Sequence, residues 1–426
     1  MVEPVRKIFY VNNNSVSSAV SDHTVRIATI GAAFSANKGA ASMLRATIDD
    51  IRRTHPHAEF DVLTTYPEVD RLVVDDPKIR VVSLTPIQLA GLAFPLGVLA
   101  ALSSFLKIPR RFWARTTALR ALCEADVVID LAGISFVSGR GTLTLGYNVL
   151  MTGLPLLFGR PVVKGSQAMG PFTSPAVRFS ARKVLPRLSQ VTARGDITHE
   201  NLKGLSLQNV VSGADLAFLL NATSEDQRQA GILVPIQEKT VVGVVPSQVV
   251  CNYSERTKGT YVQDMVQMID ALQNLGHQVV LLPHSIQLDK PASKMNDLPL
   301  TQEICAQVSA PPLVVDTDES PGTLRAIIER CDLLITSRFH AMISSLATAT
   351  PTLVIGWSHK YREVLAQFDQ DDAAIDYRDL KVEEVVERCE LLLEEKKHRS
   401  ETIRNHLPKV TESARSGLKK VLELIS

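Results

Sequence analysis

The chain contains two successive series of short apolar runs, and each run is followed by a segment with the spacing of a helix. Runs that are apolar throughout, rather than alternating with polar residues, are typical of parallel strands that helices cover on both faces. The first series lies at 25–31, 60–65, 79–84, 126–133, 161–166 and 191–194, and the second at 240–245, 278–283, 313–315, 333–336 and 353–357. This alternation predicts two doubly wound α/β domains that face each other.

A polar stretch, NATSEDQRQAG, separates the two series near residue 225. We therefore expect an N-terminal α/β domain over 1–225 and a C-terminal α/β domain over 226–395, which suits a chain of 426 residues. The remaining segment, 396–426, is rich in Glu, Lys and Leu and has a helical pattern. It is predicted to form C-terminal helices with a solvated face.

Composition and missing motifs exclude several classes of protein. Lys and Arg together number 46 against 45 for Asp and Glu, and this net charge of +1 gives no bulk attraction for nucleic acid. The chain has no GxGxxG after the first strand, no GxxxxGK(S/T), no HExxH and no GxSxG. These absences disfavour NAD enzymes, P-loop NTPases, zincins and α/β-hydrolases.

The cysteines and the N-terminal residues bear on the compartment. The five cysteines are far apart and form no CxxC pair, so neither a zinc site nor a disulfide framework is expected, and a reducing compartment fits. The N-terminal sequence MVEPVRKIFYVNNNSVSS lacks the apolar core and the cleavage site of a signal peptide. We therefore expect a cytoplasmic protein.

One stretch has the composition of a membrane segment, because no charged residue occurs over 81–106. Four basic residues of the kind that contact anionic headgroups follow it: Lys107, Arg110, Arg111 and Arg115. A membrane crossing would put the strands at 79–84 and 126–133 on opposite sides of a bilayer, so we exclude it. Two alternatives remain: a buried helix broken near Pro95, or a peripheral element at the inner face of the plasma membrane.

The strongest candidate site lies where a buried strand runs into a helix, in LLITSRFHAMISSLATATP at 333–351. The helix start offers backbone N–H groups beside Ser337, Arg338 adds a fixed charge with a two-pronged fork, and His340 titrates near neutrality. Such a combination suits a phosphate or a carboxylate. The alternative is that His340 satisfies a buried backbone group and Arg338 pairs with a surface acid. Their adjacency at a strand end favours function.

Ligands of open α/β sheets bind beyond the carboxyl ends of the strands, and other predicted strand ends also carry polar groups. Asn37, Lys38 and Gly39 open a helix after the first strand, and Gln167 follows the fifth. Further groups follow strands of the second series: Ser247, His284, His359 and Lys360. Any one of them also fits plain turn chemistry, but together they predict a single cleft lined from both series.

Asp316-Thr317-Asp318 forms a DxD motif, which in one class of sugar transferases holds a metal ion against a diphosphate. A bare DxD is common by chance, and Ser320 and Pro321 after it are typical of the start of a helix. We therefore favour an acidic loop that caps a helix beginning near Pro321, and predict no metal site.

Six segments match a pattern known from one protein family: QAMGPF, the Arg194-Gly195-Asp196 turn, DLAFLL, VGVVPS, VVLLPHS and CDLLITSRFHAMISSLATATPTLVIGWSHKY. They resemble the polysaccharide pyruvyl transferase family, collinearly over about 25–377 and most specifically over 331–361. The resemblance implies two Rossmann-like domains facing a cleft, a GT-B-like arrangement. It also implies transfer of pyruvate from phosphoenolpyruvate to two hydroxyls of a sugar, which forms a ketal and releases phosphate, in the synthesis of an exopolysaccharide, capsule or cell-wall polymer.

The resemblance also assigns roles to residues. The family's Arg-x-His falls on Arg338 and His340, the implied catalytic pair, and its Asn-x-Gly falls on Asn37 and Gly39. The C-terminal domain would then hold the donor and the N-terminal domain the acceptor. The implied donor contacts are Arg338, Ser337, Ser247, His284 and Lys360, and the implied acceptor contacts are Asn37, Lys38, Gly39, Gln167 and His359.

The implied reaction needs a proton delivered to C3 of the donor and a proton removed from the attacking hydroxyl. A histidine serves both steps near neutral pH, so His340 is the candidate general acid and base. No metal or other cofactor is required. The expected partners are phosphoenolpyruvate and a sugar or lipid-linked oligosaccharide, with a peripheral membrane contact and a homo-oligomer among the open alternatives.

The chain departs from the family pattern at Ala40, where many members have an acidic residue, and the Gly-rich segment after the fourth strand is thinned to LAGISFVSGRG. These departures leave a changed acceptor or a lost activity as alternatives. Two rival functions remain open: a GT-B nucleotide-sugar glycosyltransferase or epimerase, and a non-catalytic sugar-binding subunit of a polysaccharide assembly complex.

Overall fold

The computed structural model describes residues 24–35, 37–235, 238–257, 259–287, 293, 295–356 and 359–426, and of residue 359 the backbone only. The chain forms two compact units. Unit 1 comprises the chain up to Ser35 together with Met43–Leu219 and Glu412–Ser426, and unit 2 comprises Ala36–Ser42 and Leu220–Thr411. Where we expected a division at 225/226 and a separate segment over 396–426, the structure divides the chain after Leu219 and shares the last helix between the units.

Unit 1 is built on a seven-stranded parallel sheet. Its strands are β1 (Arg26–Ile30), β2 (Glu59–Thr64), β3 (Ile79–Ser83), β4 (Val127–Asp130), β5 (Val162–Gln167), β6 (Gln190–Arg194) and β7 (Val210–Gly213). The spatial order is β3-β2-β1-β4-β5-β6-β7, so the direction of winding reverses between β1 and β4. Ligands of doubly wound sheets bind at such a reversal.

The helices that belong wholly or mainly to unit 1 pack on this sheet. They are α1 (Lys38–Arg52), α2 (Pro67–Val73), α3 (Pro86–Gln88), α4 (Phe94–Ser103), α5 (Thr117–Glu124), α6 (Thr142–Leu157), α7 (Pro175–Val184) and α8 (Asp196–Lys203). Short 3₁₀ turns lie at Ser104–Leu106, Arg110–Trp113, Leu185–Arg187 and Leu216–Leu219.

The charge-free stretch forms one helical segment, Pro86–Leu106, which is long and apolar enough to cross a membrane by length and composition. Thr85 caps its start through a capping box with Gln88. One of our two alternatives was a buried helix broken near Pro95. A π turn at Leu89–Ala93 instead precedes this proline, and the chain continues as α4. A π turn before a proline absorbs the missing N–H, so the segment does not end there. Both strands that flank the segment, β3 and β4, lie in the single sheet of unit 1, which was our reason for excluding a crossing.

Unit 2 contains a six-stranded parallel sheet with the same winding. Its strands are β8 (Val241–Val245), β9 (Gln278–Leu281), β10 (Leu313–Val314), β11 (Leu333–Thr336), β12 (Thr352–Gly356) and β13 (Ala374–Asp376). The order β10-β9-β8-β11-β12-β13 reverses between β8 and β11. Val242 and Val244 enter one hydrophobic cluster, and Val241 and Val245 enter another, so apolar side chains cover this sheet on both faces.

Nine helices among the described residues belong to unit 2 or begin in it. They are α9 (Ser224–Leu233), α10 (Gln248–Ser254), α11 (Tyr261–Asn274), α12 (Leu298–Cys305), α13 (Pro321–Glu329), α14 (Phe339–Ala347), α15 (His359–Ala366), α16 (Val382–Glu394) and α17 (Lys396–Ile425), with a 3₁₀ turn at Tyr377–Asp379. The prediction of two doubly wound, Rossmann-like α/β units with C-terminal helices is therefore confirmed. The cleft between them stays a prediction.

Candidate active site in unit 2

Two strand ends at the winding reversal of unit 2 are tied together by one tyrosine. Ser247 follows β8, Ser337 follows β11, and these strands pair in parallel. The Tyr261 hydroxyl donates to Ser337 Oγ at 2.8 Å and accepts the Ser247 N–H at 3.2 Å. Burial raises the pKa of Tyr261, so the hydroxyl stays a donor. Both serines are buried and serve to fix the edge at which the other polar groups lie.

Arg338 is the N-cap residue directly before α14, and an acid from another loop holds its side chain. Its backbone N–H bonds Thr336 Oγ1 at 2.9 Å, and its guanidinium forms an ion pair with Asp297. Asp297 Oδ1 also accepts the Gln248 N–H at 2.9 Å. Burial raises the pKa of Asp297, and the charge of Arg338 opposes that rise. Arg338 Nε is buried and has no hydrogen-bond partner in the described part of the chain.

His340 contacts the start of α1, which belongs to unit 2 at this point. A methyl group built on Gly39 would overlap the His340 ring, so only glycine fits there. The Asn37 side chain caps the same helix, since its Oδ1 accepts the N–H groups of Gly39 at 2.9 Å and of Ala40 at 3.4 Å. The Asn-x-Gly spacing thus brings the N-terminus of α1 beside that of α14.

The pKa of His284, which follows β9, depends on the charged groups at this edge of the sheet. It is buried, and burial lowers its pKa to about 3, with His340, Arg338 and Lys38 lowering it further through their charges. His284 is therefore a neutral side chain at physiological pH. The three named residues lie near it, and the Asp297 carboxylate accepts a hydrogen bond from its backbone N–H.

Lys38 and the DxD motif meet in the same unit. Lys38 Nζ lies 2.6 Å from Asp318 Oδ1, and both side chains are largely buried. Ser320 caps α13 by accepting the Thr323 N–H, as expected for an acidic loop before that helix. In the described part of the chain no three His, Cys, Asp or Glu side chains are placed to hold a metal ion.

Lys360, on α15, stacks on aromatic rings. Its ammonium lies 4.9 Å from the centre of the Phe339 ring and 5.3 Å from that of Tyr361. The Tyr361 hydroxyl donates to the Ser337 carbonyl at 3.2 Å, and burial raises its pKa to about 12. This packing joins α15 to the strand end that carries Arg338.

Comparison with known proteins agrees with this geometry. The model of the polysaccharide pyruvyl transferase family matches residues 37–359, from the capping Asn37 to the first residue of α15. The chain belongs to the polysaccharide pyruvyl transferase family. The expectation drawn from the six sequence segments is thereby confirmed.

The family's relatives and structural neighbours are distant. The amylovoran biosynthesis protein AmsJ of Erwinia amylovora is 23% identical over 380 residues, covering 84% of this chain and 89% of that protein. The UDP-GlcNAc 2-epimerase of Neisseria meningitidis has a TM-score of 0.57 at 12% identity, over 94% of this chain and 99% of its own. A glycosyltransferase of Rickettsia africae has a TM-score of 0.52 at 10% identity, over 94% and 100% of the two chains. At these identities the structural likeness concerns the fold alone.

The structure does not place all of the predicted site residues in one unit. Asn37, Lys38 and Gly39 were assigned to an acceptor side on the N-terminal domain, but the structure groups them with Arg338 and His340 in unit 2. Sequence order put them in the wrong unit because the chain first enters unit 2 for only a few residues, at the start of α1. The side chain of His359 lies outside the described residues.

Gln167 lies in unit 1, away from that group in the chain's division. It is buried; its Nε2 donates to the Asp130 carbonyl at 2.7 Å and to Asp130 Oδ1 at 2.9 Å, while its Oε1 accepts from Ser135 Oγ at 2.7 Å. The polar atoms of its side chain all bond to residues of unit 1. These contacts are typical of a structural residue and not of one that binds the sugar acceptor.

Sequence reasoning did not name three residues that shape the site: Tyr261, Asp297 and Tyr361. Tyr361 lies within the family segment at 331–361, so its position was the available signal. Tyr261 lies inside α11 and Asp297 before α12, far from any predicted strand end. Nothing in their local sequence distinguishes them, because their role depends on contacts over long separations.

Proposed function

We propose that this chain is a ketal pyruvyltransferase that transfers pyruvate from phosphoenolpyruvate to two hydroxyls of a sugar residue. The observation that carries the proposal is the convergence, within unit 2, of His340, Arg338 and Lys38 at the N-termini of α1 and α14. Membership of the family supports the reaction class, and the relative in amylovoran biosynthesis supports a polysaccharide as the product.

The donor is small and highly charged, so the site must supply positive potential locally. Lys38 and Arg338 each already have a carboxylate partner, Asp318 and Asp297, and the two pairs add little net charge. The two helix N-termini therefore provide much of the attraction, through partial positive charge and backbone N–H groups. The ion pairs hold the cations in fixed orientations, which suits the fork of Arg338 for a phosphate or carboxylate.

His340 is the proposed catalytic acid and base. Protonation of C3 of phosphoenolpyruvate makes C2 an electrophile, and a sugar hydroxyl attacks C2 and loses its proton. The C2–O bond to phosphate then breaks as the second hydroxyl bonds to C2, and the proton of that hydroxyl goes to the departing phosphate. His340 is half-buried and in contact with Gly39, which places it beside the start of α1 for proton exchange with a bound substrate. His284, held neutral by burial, adds a hydrogen-bonding group without competing charge. The scheme uses no cofactor.

The acceptor contacts are proposed at the start of α1. Asn37 is exposed, and Ala40 occupies the position where many family members have an acid. Without that acid, we assign removal of the hydroxyl proton to His340, which contacts Gly39 at the start of the same helix. We propose that a sugar, soluble or lipid-linked, lies beside Asn37, with His359 as a further contact.

Ligand-induced thermal shifts test the proposal against the nucleotide-sugar alternative. Phosphoenolpyruvate should raise the melting temperature of the wild-type chain, because binding to the native state alone is stabilising. Arg338→Met should lose that shift, and Arg378→Met, which changes an exposed arginine of the same unit, should keep it. A shift with UDP-sugars and none with phosphoenolpyruvate would instead indicate a glycosyltransferase or epimerase.

A further inference from the structure

The helical segment Pro86–Leu106 is apolar on its outer face as well as on its inner one. Only 28% of its most apolar window is buried inside the protein. Outward-facing residues follow helical spacing along and beyond α4: Val98, Leu99, Leu102, Phe105 and Leu106. We call these five residues the apolar ridge. Phe105 is 85% exposed, Leu106 76% and Leu102 58%, which is unusual for large apolar side chains that lie so close together.

The opposite face fixes the segment on unit 1. Leu89, Ala93, Gly97, Ala100 and Ser103 are buried, at helical spacing. A methyl group on Gly97 would crowd Leu154 of α6, so the two helices approach closely. The ridge is therefore presented by a segment that is itself packed, and its exposure does not result from a detached helix.

A basic turn follows the ridge and is anchored to it. Trp113 Nε1 donates to Ser103 Oγ at 2.7 Å, which ties the 3₁₀ turn Arg110–Trp113 to the end of α4. Phe112 is 56% exposed, and the Arg115 guanidinium stacks 4.7 Å from the centre of its ring. Apolar and cationic groups thus alternate at one end of the ridge, as at a membrane interface.

The surrounding sequence has a one-sided charge that the net value of +1 conceals. Between residues 77 and 195 only three acids occur, Glu124, Asp126 and Asp130. Each is engaged within unit 1: Glu124 with the Arg26 side chain, Asp126 with the Arg26 N–H, and Asp130 with Lys164. Of these acids only Glu124 is exposed, and it pairs with Arg26, whereas Lys107 and Arg111 are exposed directly after the ridge.

Helix α7 also carries an exposed aromatic side chain beside exposed basic residues. α6, which has no charged residue, packs on both α4 and α7. On α7, Phe179 is 64% exposed, and Arg178, Arg182 and Lys183 beside it are exposed as well, with the Lys183 ammonium 5.7 Å from the centre of the Phe179 ring. Aromatic tips with basic neighbours therefore recur on this part of unit 1.

We propose that the apolar ridge docks on the surface of an anionic lipid bilayer, with Lys107 and Arg111 at the headgroups. The ridge would enter the boundary between headgroups and acyl chains while the segment stays packed on unit 1. A bilayer fits better than a second copy of the chain, because self-association through this surface would bring the exposed Lys107 and Arg111 of one copy towards those of the other. The proposal does not depend on the reaction assigned to unit 2.

Sedimentation with vesicles tests the proposal on the full chain. Wild type should bind vesicles of equal parts phosphatidylcholine and phosphatidylglycerol, and bind pure phosphatidylcholine more weakly. Replacing Leu102, Phe105 and Leu106 by Ser should lower the partition coefficient on the order of a hundredfold, because three large apolar side chains no longer enter the interface. The double variant Lys107→Asn, Arg111→Gln should bind the anionic vesicles about fivefold more weakly for each residue replaced. Salt at about 1 M should also weaken the binding of wild type to these vesicles, because it screens the same charges.

A matched control uses exposed apolar residues of unit 2. Ile232, Leu275 and Leu391 are similarly exposed, and their triple replacement by Ser should leave vesicle binding unchanged. The Ser variants should keep the wild-type melting temperature, since the side chains removed are exposed. If wild type bound neither kind of vesicle, the proposal would be overturned. Equal binding by the ridge variant would do the same, and so would a concentration-dependent dimer that the ridge variant abolishes.

Discussion

The two units reverse their winding at equivalent places, yet the polar groups at these places differ in kind. In unit 1 the reversal lies between β1 and β4, and Asp130 ends β4. In unit 2 it lies between β8 and β11, and Arg338 follows β11 after one residue. The polar groups around Asp130 lie in the protein interior, whereas those around Arg338 reach the protein surface.

In unit 1, Asp130 bonds to buried side chains of the same unit, and we call these residues the Asp130 network. Lys164 is fully buried and forms an ion pair with Asp130, which also accepts from Thr152 Oγ1 at 2.8 Å and from Gln167. Burial acts to raise the pKa of Asp130, but the charge of Lys164 and these hydrogen bonds bring it below its ordinary value. Burial lowers the pKa of Lys164, and Asp130 opposes that change. Such a network specifies and stabilises the fold.

The unit 2 group differs because some of its members are partly exposed and because it includes two histidines, His284 and His340. Arg338 and Asp318 each keep 13% of their side-chain surface, and His340 is half-buried. Two helix N-termini also meet there. The comparison teaches that the same strand order supports a buried ion pair in one unit and a partly exposed group of cationic and histidine side chains in the other. Changes in unit 1 should therefore affect stability, and changes in unit 2 should affect activity.

Removal of the His340 side chain should have the largest effect. We expect His340→Ala to lower kcat by about 10²–10⁴-fold, the usual loss when a general acid or base is removed, with little change in the dissociation constant for phosphoenolpyruvate. Steady-state phosphate release and titration calorimetry measure the two quantities. His398→Ala, on the exposed part of α17, is the control and should match wild type. Near wild-type turnover would remove His340 from the mechanism.

Disruption of the closed network should change stability. Lys164→Met leaves the Asp130 charge buried without its partner, and we expect a loss of about 3–5 kcal/mol in the free energy of unfolding, measured with urea. Adding Asp130→Asn removes that charge and should recover much of the loss. If Lys164→Met kept full stability, the contrast between the two units would be lost.

The fork of Arg338 should matter for donor binding. Arg338→Lys keeps the positive charge beside Asp297 but loses the two-pronged geometry, so KM for phosphoenolpyruvate should rise roughly ten- to a hundredfold with a smaller change in kcat. Arg378→Lys changes an exposed arginine that pairs with Asp376 and should leave KM unchanged. A fall in kcat at constant KM would assign Arg338 to the chemical step instead.

The smallest effect concerns pH. The pKa of His284 is about 3 in the folded chain, against about 6.5 for an unperturbed histidine. Between these values the unfolded state binds more protons, so stability should fall as the pH drops, by at most about 1.4 kcal/mol per pH unit from this residue. Urea unfolding from about pH 7 to about pH 5 should show a shallower slope for His284→Gln, while His398→Gln should keep the wild-type slope. Equal slopes for all three would mean that the pKa of His284 is the same in the folded and the unfolded state.

Much of the fold followed from apolar runs, because parallel strands buried on both faces have a distinctive pattern. The runs predicted eleven of the thirteen strands in the described part of the chain and missed β7 (VVSG) and β13 (AID). Arg338 and His340 were identifiable because they adjoin a strong strand and a helix start. The role of Gly39 required the structure, since it depends on a His340 ring that lies far away in the sequence.

Acceptor-dependent release of phosphate from phosphoenolpyruvate tests the central claim most directly. Wild type is incubated with phosphoenolpyruvate alone and then with a panel of soluble and lipid-linked sugar acceptors, with His340→Ala in parallel. The account predicts phosphate release only when an acceptor is present, matched mole for mole by ketal-linked pyruvate and absent in the variant. Phosphate released at one rate with or without a sugar, or turnover of a nucleotide-sugar while phosphoenolpyruvate stays intact, would contradict it.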